Sequence, residues 1–371
     1  MSAFDPFVAM RPRERGGPIA ANRFEYQMNW AFCHLLDLHK AGREYLMVLD
    51  YHDDIVVFDS ATTPTSIEFF QIKTRGQSKG AWKMKELIYR PKSKDPARPD
   101  ALSILGKLYA HHVDFGTLVK AVIFVSNAQY AVHLRGEKEP GIEDRFEVDD
   151  INPDDFDRVS DQLAQEHSVA RSAIQRLGIS FIKDSLSLED QTAHAKGRFE
   201  EFACDFLGID NCPTTHAYNA IIQAMRAKQN WEPKAESPAD LVTKKGFSQS
   251  EFAAAIAKLR RHSNSKTWAA FEATLVQEGV DVLTLRRMRD AWERVGIQSL
   301  DSTNHVLHAT KKTVWDAVNL RLKSGPPKPL KQFIDTLAAE LRPQIEGRHL
   351  PFDQTVVSAM ILTVLDEYPS E

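Results

Sequence analysis

Two β-rich runs joined through one turn commit the first part of this chain to a sheet: YLMVLDYHDDIVVFD at Tyr45 to Asp59 and IEFFQIKTR at Ile67 to Arg75. The first is long enough to break into a hairpin around His52 and Asp53, and Thr62 to Ser66, with Pro64, supplies the turn that follows. In the second, a period of two puts Phe69, Gln71, Lys73 and Arg75 on one face and Glu68, Phe70, Ile72 and Thr74 on the other. A third run, AVIFV at Ala121 to Val125, is wholly apolar and closed by Ser126 and Asn127, as suits a buried strand followed by a turn. Leu102, Leu105, Leu108 and Tyr109 have helical spacing ahead of it, and so do Phe24, Met28, Ala31, Leu35 and Leu38 between about Asn22 and Gly42. Gln27 falls on the buried stripe of that first helix, so its amide needs a partner inside the protein. Strands alternating with helices predict an α/β domain, a mixed sheet with helices packed against it.

Beyond about Asp161 strand patterns are rare and amphipathic helices predominate. Ser248 and Glu251 have capping-box spacing, and Leu283, Met288, Ala291 and Val295 form a helical stripe. Leu330, Phe333, Ile334, Leu337 and Leu341 form another, after the linker-like GPPKP at Gly325 to Pro329. A polar stretch with two prolines, Ala227 to Lys245, marks a softer break. We expect one domain over residues 1–210 and a mostly α-helical region over 211–371. The last stripe suits self-association or docking of a partner, and equally a buried core.

With 43% hydrophobic and 26% charged residues the chain is of ordinary globular composition, which excludes global disorder and low-complexity architectures. Cys33, Cys204 and Cys212 have no CxxC spacing and support neither a disulfide framework nor a zinc knuckle, so they read as buried thiols. Met1 to Gly17 has no apolar core and no run of 18 apolar residues occurs, so no membrane association and a cytoplasmic location are expected. The net charge of −4 does not point to a nucleic acid, but its distribution does. Between Gln71 and Arg98 nine basic residues (Lys73, Arg75, Lys79, Lys83, Lys85, Arg90, Lys92, Lys94 and Arg98) stand against two acids, a net +7 in 28 residues that suits a phosphate backbone. Glu137 to Asp161, at eleven acids against three bases, would repel DNA and is expected to face solvent or a basic partner. Arg260, Arg261, Arg286, Arg287 and Arg289 suit either a helix-turn-helix or a bundle with basic outer faces. His305 and His308 lack an acidic third ligand and read as exposed, and the absence of a Walker A sequence leaves nucleotide hydrolysis to a partner.

The chemistry is concentrated where the acidic cluster Asp50, Asp53 and Asp54 precedes Gln71 and Lys73. If residues 50–54 stay extended, Asp50 and Asp54 share a face and Asp53 points away. A carboxylate there would hold a hard divalent cation, the Gln71 and Ile72 carbonyls would add oxygen ligands, and Lys73 would stand beside a phosphate. Spacing alone equally allows a pair of edge strands with solvated acidic turns.

GGPIAANRFEYQ at Gly16 to Gln27, LDYHDDIVV at Leu49 to Val57 and IEFFQIKTR together resemble the dsDNA endonuclease domain of bacterial anti-phage effectors. These are the CD-NTase-associated nucleases, Mrr-like members of the PD-(D/E)xK superfamily, and some are standalone nucleases paired with a HerA-like ATPase. The resemblance fades near Gly208. It implies a restriction-endonuclease-like α/β domain and a DNA endonuclease using Mg2+, or Mn2+ in its place. The superfamily aspartate falls on Asp54, Gln71 replaces the usual acid of the (D/E)xK element, and the lysine is Lys73. Asp54, Gln71 and Asp50 are the implied metal ligands, with Asp53, Gln27 and Glu25 in support. Arg75, Lys79, Lys83 and Lys85 are the expected contacts to the phosphates of double-stranded DNA. One site per chain makes a homo-oligomer the expected form for cutting both strands, and the absence of an α/β messenger sensor favours the ATPase-partnered type. The alternatives are a non-catalytic DNA-binding or scaffold protein with a nuclease-derived fold, and a constitutive restriction or repair nuclease.

Overall fold

The computed structural model describes residues 16–76, 79–92, 100–137, 141–174, 178–208, 214–263, 265–299, 304–323, 329–346 and 352–368. Lys94, Arg98, Cys212 and residues 325–328 of the linker-like segment lie outside these ranges. Helix α1 (Gly16–Lys40) realises the first apolar stripe: Met28, Ala31, Leu35 and Leu38 are buried, together with Tyr26 and Phe32. Phe24, expected to begin that stripe, is exposed, because burial along α1 starts only at Tyr26. The chain leaves the helix through Gly42, whose φ of +64° is the left-handed conformation that glycine adopts freely at a helix end.

Strands β1 (Leu46–Tyr51) and β2 (Asp53–Phe58) form the expected hairpin around His52, and β3 (Ile67–Lys73) adds antiparallel to β2. The alternation of β3 shows in what its residues meet, since Phe69 stacks on His111 while Phe70 packs against Trp30 and His34 of α1. The hairpin does not stay extended. Asp50 and His52 have positive φ, +51° and +65°, a conformation that costs a non-glycine residue roughly 1 kcal/mol or more. The turn thereby breaks the parity that would have put Asp50 on a face with Asp54.

After β3 come β4 (Trp82–Lys83), the single turn α2 (Met84–Leu87), α3 (Ile104–Phe115) and β5 (Val119–Ser126), which lies parallel beside β3. Ser103 caps α3 by accepting the Gly106 N–H. Next are β6 (Tyr130–Val132), β7 (Gly141–Glu143), β8 (Arg145–Glu147), α4 (Pro153–His167) and β9 (Ile179–Lys183). In the first unit the main sheet runs β1-β2-β3-β5-β9-β8, and β4, β6 and β7 form a small second sheet. Strands β3, β5 and β9 are parallel to one another, which is the mixed α/β arrangement expected. The core between sheet and helices includes Val56, Phe69, Leu105, Val122, Phe124 and Phe181.

One segment differs from expectation. Strand β9 lies in the region expected to be helical; at five residues it is too short for its pattern to separate from a helical one. In the acidic stretch Glu137, Asp144, Asp150, Asp154, Asp157 and Asp161 are exposed, as expected, while others have partners within the unit. Glu147 accepts the Ser180 hydroxyl, Asn152 caps α4 by accepting the Asp155 N–H, and Asp154 and Asp155 sit in the helix's first turn, where the dipole favours acids.

The chain divides into two compact units, residues 1–195 with 235–246, and residues 196–234 with 247–371. The single boundary expected near residue 210 is thus replaced by three crossings, the last two at the ends of a short segment that rejoins the first unit. The second unit is helical. It holds the C-terminal part of α5 (Gln191–Glu201), then α6 (Thr214–Gln229), α7 (Gln249–Ser263), α8 (Ser265–Gln277), α9 (Val282–Gln298), α10 (His305–Leu322), α11 (Leu330–Glu346) and α12 (Gln354–Glu367). The capping box is present, with Ser248 N–H donating to Glu251 and Glu251 N–H to Ser248 Oγ. On α9, Met288, Ala291 and Val295 are buried, but Leu283 is exposed in the first turn. Cys33 is buried as expected, whereas Cys204 is exposed. Among the described residues no helix is long and apolar enough to cross a membrane.

The stripe Leu330, Ile334, Leu337 and Leu341, with Phe333 packed at its side, is buried in the second unit's own core. It is therefore not the free docking face that its amphipathicity allowed. Helix α12, buried from Val357 to Val364 without a polar face, packs against α9, α10 and α11, as an apolar helix at the centre of a bundle must. A chain ending before Gly325 would lose both α11 and α12. We expect its remaining helices at 249–322 to lose their protection in hydrogen exchange and their cooperative melting transition; a truncated chain that keeps both would contradict this core assignment.

His34 provides a pH-dependent prediction. Its ring stacks on Trp30 and packs at a tilt against Phe70, its Nε2 has no hydrogen-bond partner, and burial pulls its pKa down to about 4. Above about pH 6.5 both folded and unfolded states carry it neutral. Between there and about 4 the unfolded chain takes up a proton that the folded protein refuses, so stability falls as the solution is acidified, by on the order of 3 kcal/mol in all. His34→Phe should flatten that part of the stability profile, and urea unfolding at about pH 6.5 and about pH 4.5 measures it. Equal acid losses in wild type and variant would show that His34 contributes nothing to them.

Candidate active site

Strand β2 stops pairing with β3 at Ile55↔Phe70, leaving the next stretch of β3 without a strand partner on that edge. Asp54 fills the gap with a side chain. Its Oδ2 accepts the Ile72 N–H at 2.7 Å and the Gln71 Nε2 at 2.6 Å, and Lys73 Nζ lies 3.7 Å away. On the other edge β5 continues the ladder through Gln71↔Phe124, Ile72↔Val125 and Lys73↔Ser126, so the polar end of β3 is held in register. Burial raises the pKa of Asp54, Lys73 and the Ile72 N–H oppose it, neighbouring Asp53 adds to it, and the Gln71 amide again lowers it. Lys73 is 44% exposed at its side chain, which leaves the ammonium open to an incoming anion.

The structure thus brings Asp54, Gln71 and Lys73 together, and Gln27 with them. From α1, Gln27 directs its Nε2 at the Ile72 carbonyl, 3.5 Å away, which is the interior partner its position required. Glu25 is turned elsewhere, accepting from Asn29 Nδ2 at 3.3 Å and Thr192 Oγ1 at 3.5 Å. Asp50 is exposed on the left-handed turn, and its charge acts on the buried Lys245 rather than on the Asp54 group. Asp53 points away from Asp54's partners, as parity at that position required, and bonds His111 Nε2 at 2.8 Å.

Arg75 is a correction to the expected phosphate contacts. It is buried, donates to the Ala81 carbonyl and to Glu86 Oε1, and stacks over Trp82 with its guanidinium carbon 3.8 Å from the ring centroid. Its main chain is clamped by Asn127, which accepts the Arg75 N–H and donates back to the Arg75 carbonyl. Arg75 lies beyond the end of β3 at Lys73, and residues 80–86 cover its side chain. Lys79, Lys83, Lys85 and Lys92 remain exposed. Periodicity also missed three tethers around the site: His111 on Asp53, Asn127 on Arg75, and Trp30 Nε1 donating to Asp184 at 3.0 Å. Only Asn127 had a sequence signal, as the turn residue closing AVIFV.

Among the described residues no group of three or more His, Cys, Asp or Glu side chains is arranged to hold a metal. The donors at the site are nevertheless all hard oxygens. Asp54 gives a carboxylate, Gln71 has its amide oxygen left after donating Nε2, and the Ile72 carbonyl lies on the edge of the strand that faces Asp54, as its N–H does. One negative charge and two neutral carbonyls fit a hard divalent cation that keeps most of its other positions for water and phosphate. The raised pKa of Asp54 shows a carboxylate that a cation would stabilise.

Residues 15–229 match the family described as Cap4, dsDNA endonuclease domain. The chain is also 20% identical over 259 residues to the Lamassu protein LmuA of Bacillus cereus (strain VD014), an alignment that covers 68% of this chain and 66% of the relative. The chain therefore spans just under two thirds of the length of that curated relative. No solved structure matches the chain significantly. With more than half of the chain inside the family match, and Asp54, Gln71 and Lys73 within it, the protein belongs to the family of Cap4 dsDNA endonuclease domains.

Proposed function

We propose that the protein is a Mg2+-dependent endonuclease that hydrolyses phosphodiester bonds of double-stranded DNA in anti-phage defence, with Mn2+ able to replace Mg2+. The observation that carries this reading is the single carboxylate oxygen of Asp54 shared by the Gln71 amide and the Ile72 N–H, with Lys73 beside it. Asp54, the Gln71 amide oxygen and the Ile72 carbonyl hold the ion, and Gln27 steadies the Ile72 peptide. Bound Mg2+ supplies Lewis-acid polarisation of the scissile phosphate and an acidified water. Lys73 neutralises the charge that grows on the non-bridging phosphate oxygens as the fifth bond forms, and orients the attacking water. Lys79, Lys83 and Lys85 bind the flanking phosphates, and a set of backbone contacts without a base-reading element gives weak sequence preference.

The defence role rests on the resemblance of the three N-terminal segments to anti-phage effectors. Each chain offers one site, so cutting both strands calls for a homo-oligomer, and a separate HerA-like ATPase supplies the nucleotide hydrolysis for which this chain has no Walker A sequence. Such a protein works in the cytoplasm, where phage DNA is found.

Two sets of variants test the reading. Lys73→Ala and Asp54→Ala should each lower plasmid cleavage with Mg2+ by about 100-fold or more while keeping DNA affinity. Lys73→Ala should stay folded and lose about 1 kcal/mol of stability, since the half-exposed lysine is the cation beside the partly buried Asp54 carboxylate. Cleavage at the wild-type rate by a folded Lys73→Ala protein would leave the non-catalytic DNA-binding alternative. Lys83→Ala with Lys85→Ala should weaken DNA binding at every sequence tried and reduce the slope of log affinity against log salt by about 2. An unchanged slope would take the basic segment out of the DNA contact.

A further inference from the structure

Asp53 immediately precedes Asp54, and its carboxylate is almost fully buried, at 6% exposure. Each of its oxygens has one partner. Oδ2 meets His111 Nε2 at 2.8 Å, and Oδ1 accepts the Asp54 N–H at 2.8 Å. His111 comes from α3, on the helix face that also buries Leu105 and Leu108. Its ring lies flat on Phe69, with centroids 4.0 Å apart and an interplanar angle of 8°. Phe115, one turn further along α3, packs on both Phe69 and the His52 ring at the tip of the hairpin. A short chain of contacts therefore runs from α3 through Asp53 to the peptide of Asp54.

We propose that His111 is a positioning residue for the reaction: by holding Asp53 it fixes the main chain at Asp54, and so the direction in which the Asp54 carboxylate meets Gln71 and Ile72. The hairpin turns through left-handed residues at Asp50 and His52, a conformation that needs outside anchoring to persist. The Asp53 carboxylate, bonded to a residue 58 positions away on a helix, provides it. The Asp54 N–H itself ends on that carboxylate, so a shift of Asp53 passes directly to the residue that holds the ion. The proposal rests on the nuclease reading for its consequence in catalysis but not for its geometry, and the test separates the two.

His111→Phe keeps a ring to stack on Phe69 and removes the bond to Asp53, whereas His111→Gln places an amide N–H near the position of Nε2. Hydrogen exchange of the peptides covering residues 49–58 reports the geometry without any reference to cleavage. His111→Phe should accelerate that exchange about tenfold, leave the β5 peptides unchanged, and be restored by His111→Gln. In cleavage, His111→Phe should lower kcat by about 10- to 100-fold with KM for DNA within about twofold, and raise the Mg2+ concentration giving half the maximal rate. His111→Gln should recover most of the loss. Asp53→Ala should lose as much as His111→Phe, less than Asp54→Ala, and the double variant His111→Phe with Asp53→Ala should be no worse than Asp53→Ala alone. If His111→Phe fails to fold, His111→Gln and Asp53→Ala carry the same comparison. Wild-type exchange and kcat in His111→Phe, a loss confined to KM, or a kcat loss that His111→Gln leaves in place would overturn the proposal. A wild-type protein that cuts no DNA would sink the nuclease reading instead, with the exchange data still deciding whether His111 holds the hairpin.

Discussion

A carboxylate withdrawn from water is stable only where donors meet it, and much of the first unit is arranged around meeting this condition for Asp54. Burial raises its pKa; Lys73, the Ile72 N–H and the Gln71 amide act against that rise. For those donors to be available, β2 must stop pairing with β3 after Ile55↔Phe70, otherwise the Ile72 N–H would be taken up by a strand partner. For β3 not to fray at its unpaired edge, β5 must hold the other one, and it does so as far as Lys73↔Ser126. Parallel β5 in turn requires a crossover, which α3 provides, and α3 is the helix that reaches back to Asp53 through His111.

The parts of this arrangement that the sequence displayed are those set by local periodicity. Gln71 and Lys73 stood out because two polar residues two apart, at the end of an otherwise apolar strand, share one side of it. The hairpin at His52 and the stripe of α1 from Met28 onward were legible for the same reason. What was hidden depended on contacts distant in sequence. Asp50 left the site because the hairpin turns through left-handed residues, which its contacts with α3 stabilise and no local pattern announces. Arg75 was expected on the open face, yet Glu86 and Trp82 close over it, and only tertiary structure shows whether a cation at a strand end is covered. The stripe of α11 shows the general limit: amphipathicity reveals that a face is buried but not against what, and here the answer is α12 of the same unit.

Arg75 also accounts for how an acidic chain offers a cationic edge beside its site. The guanidinium spends its charge inside the protein, on Glu86, and the Gly80 and Ala81 carbonyls and the Trp82 face complete its surroundings. A planar fork that stacks and donates in several directions does this; a lysine at the same place would have no planar group to stack and only one nitrogen, where Arg75 uses two, for Ala81 and Glu86. With Asn127 clamping its main chain, Arg75 ties the segment bearing Lys79, Lys83, Lys85 and Lys92 to the end of β3, so that these exposed lysines follow directly from Lys73. The acids that balance them in the total charge are partly engaged elsewhere: Glu147 on Ser180, Asp144 on Gln129 and Lys183, Asp154 and Asp155 at the start of α4. At physiological ionic strength charges are felt over about 8 Å, so what a phosphate meets at this edge is the local set of lysines rather than the net −4 of the chain. The net charge is then no guide to the local field, which depends on where the buried Arg75 anchors its segment.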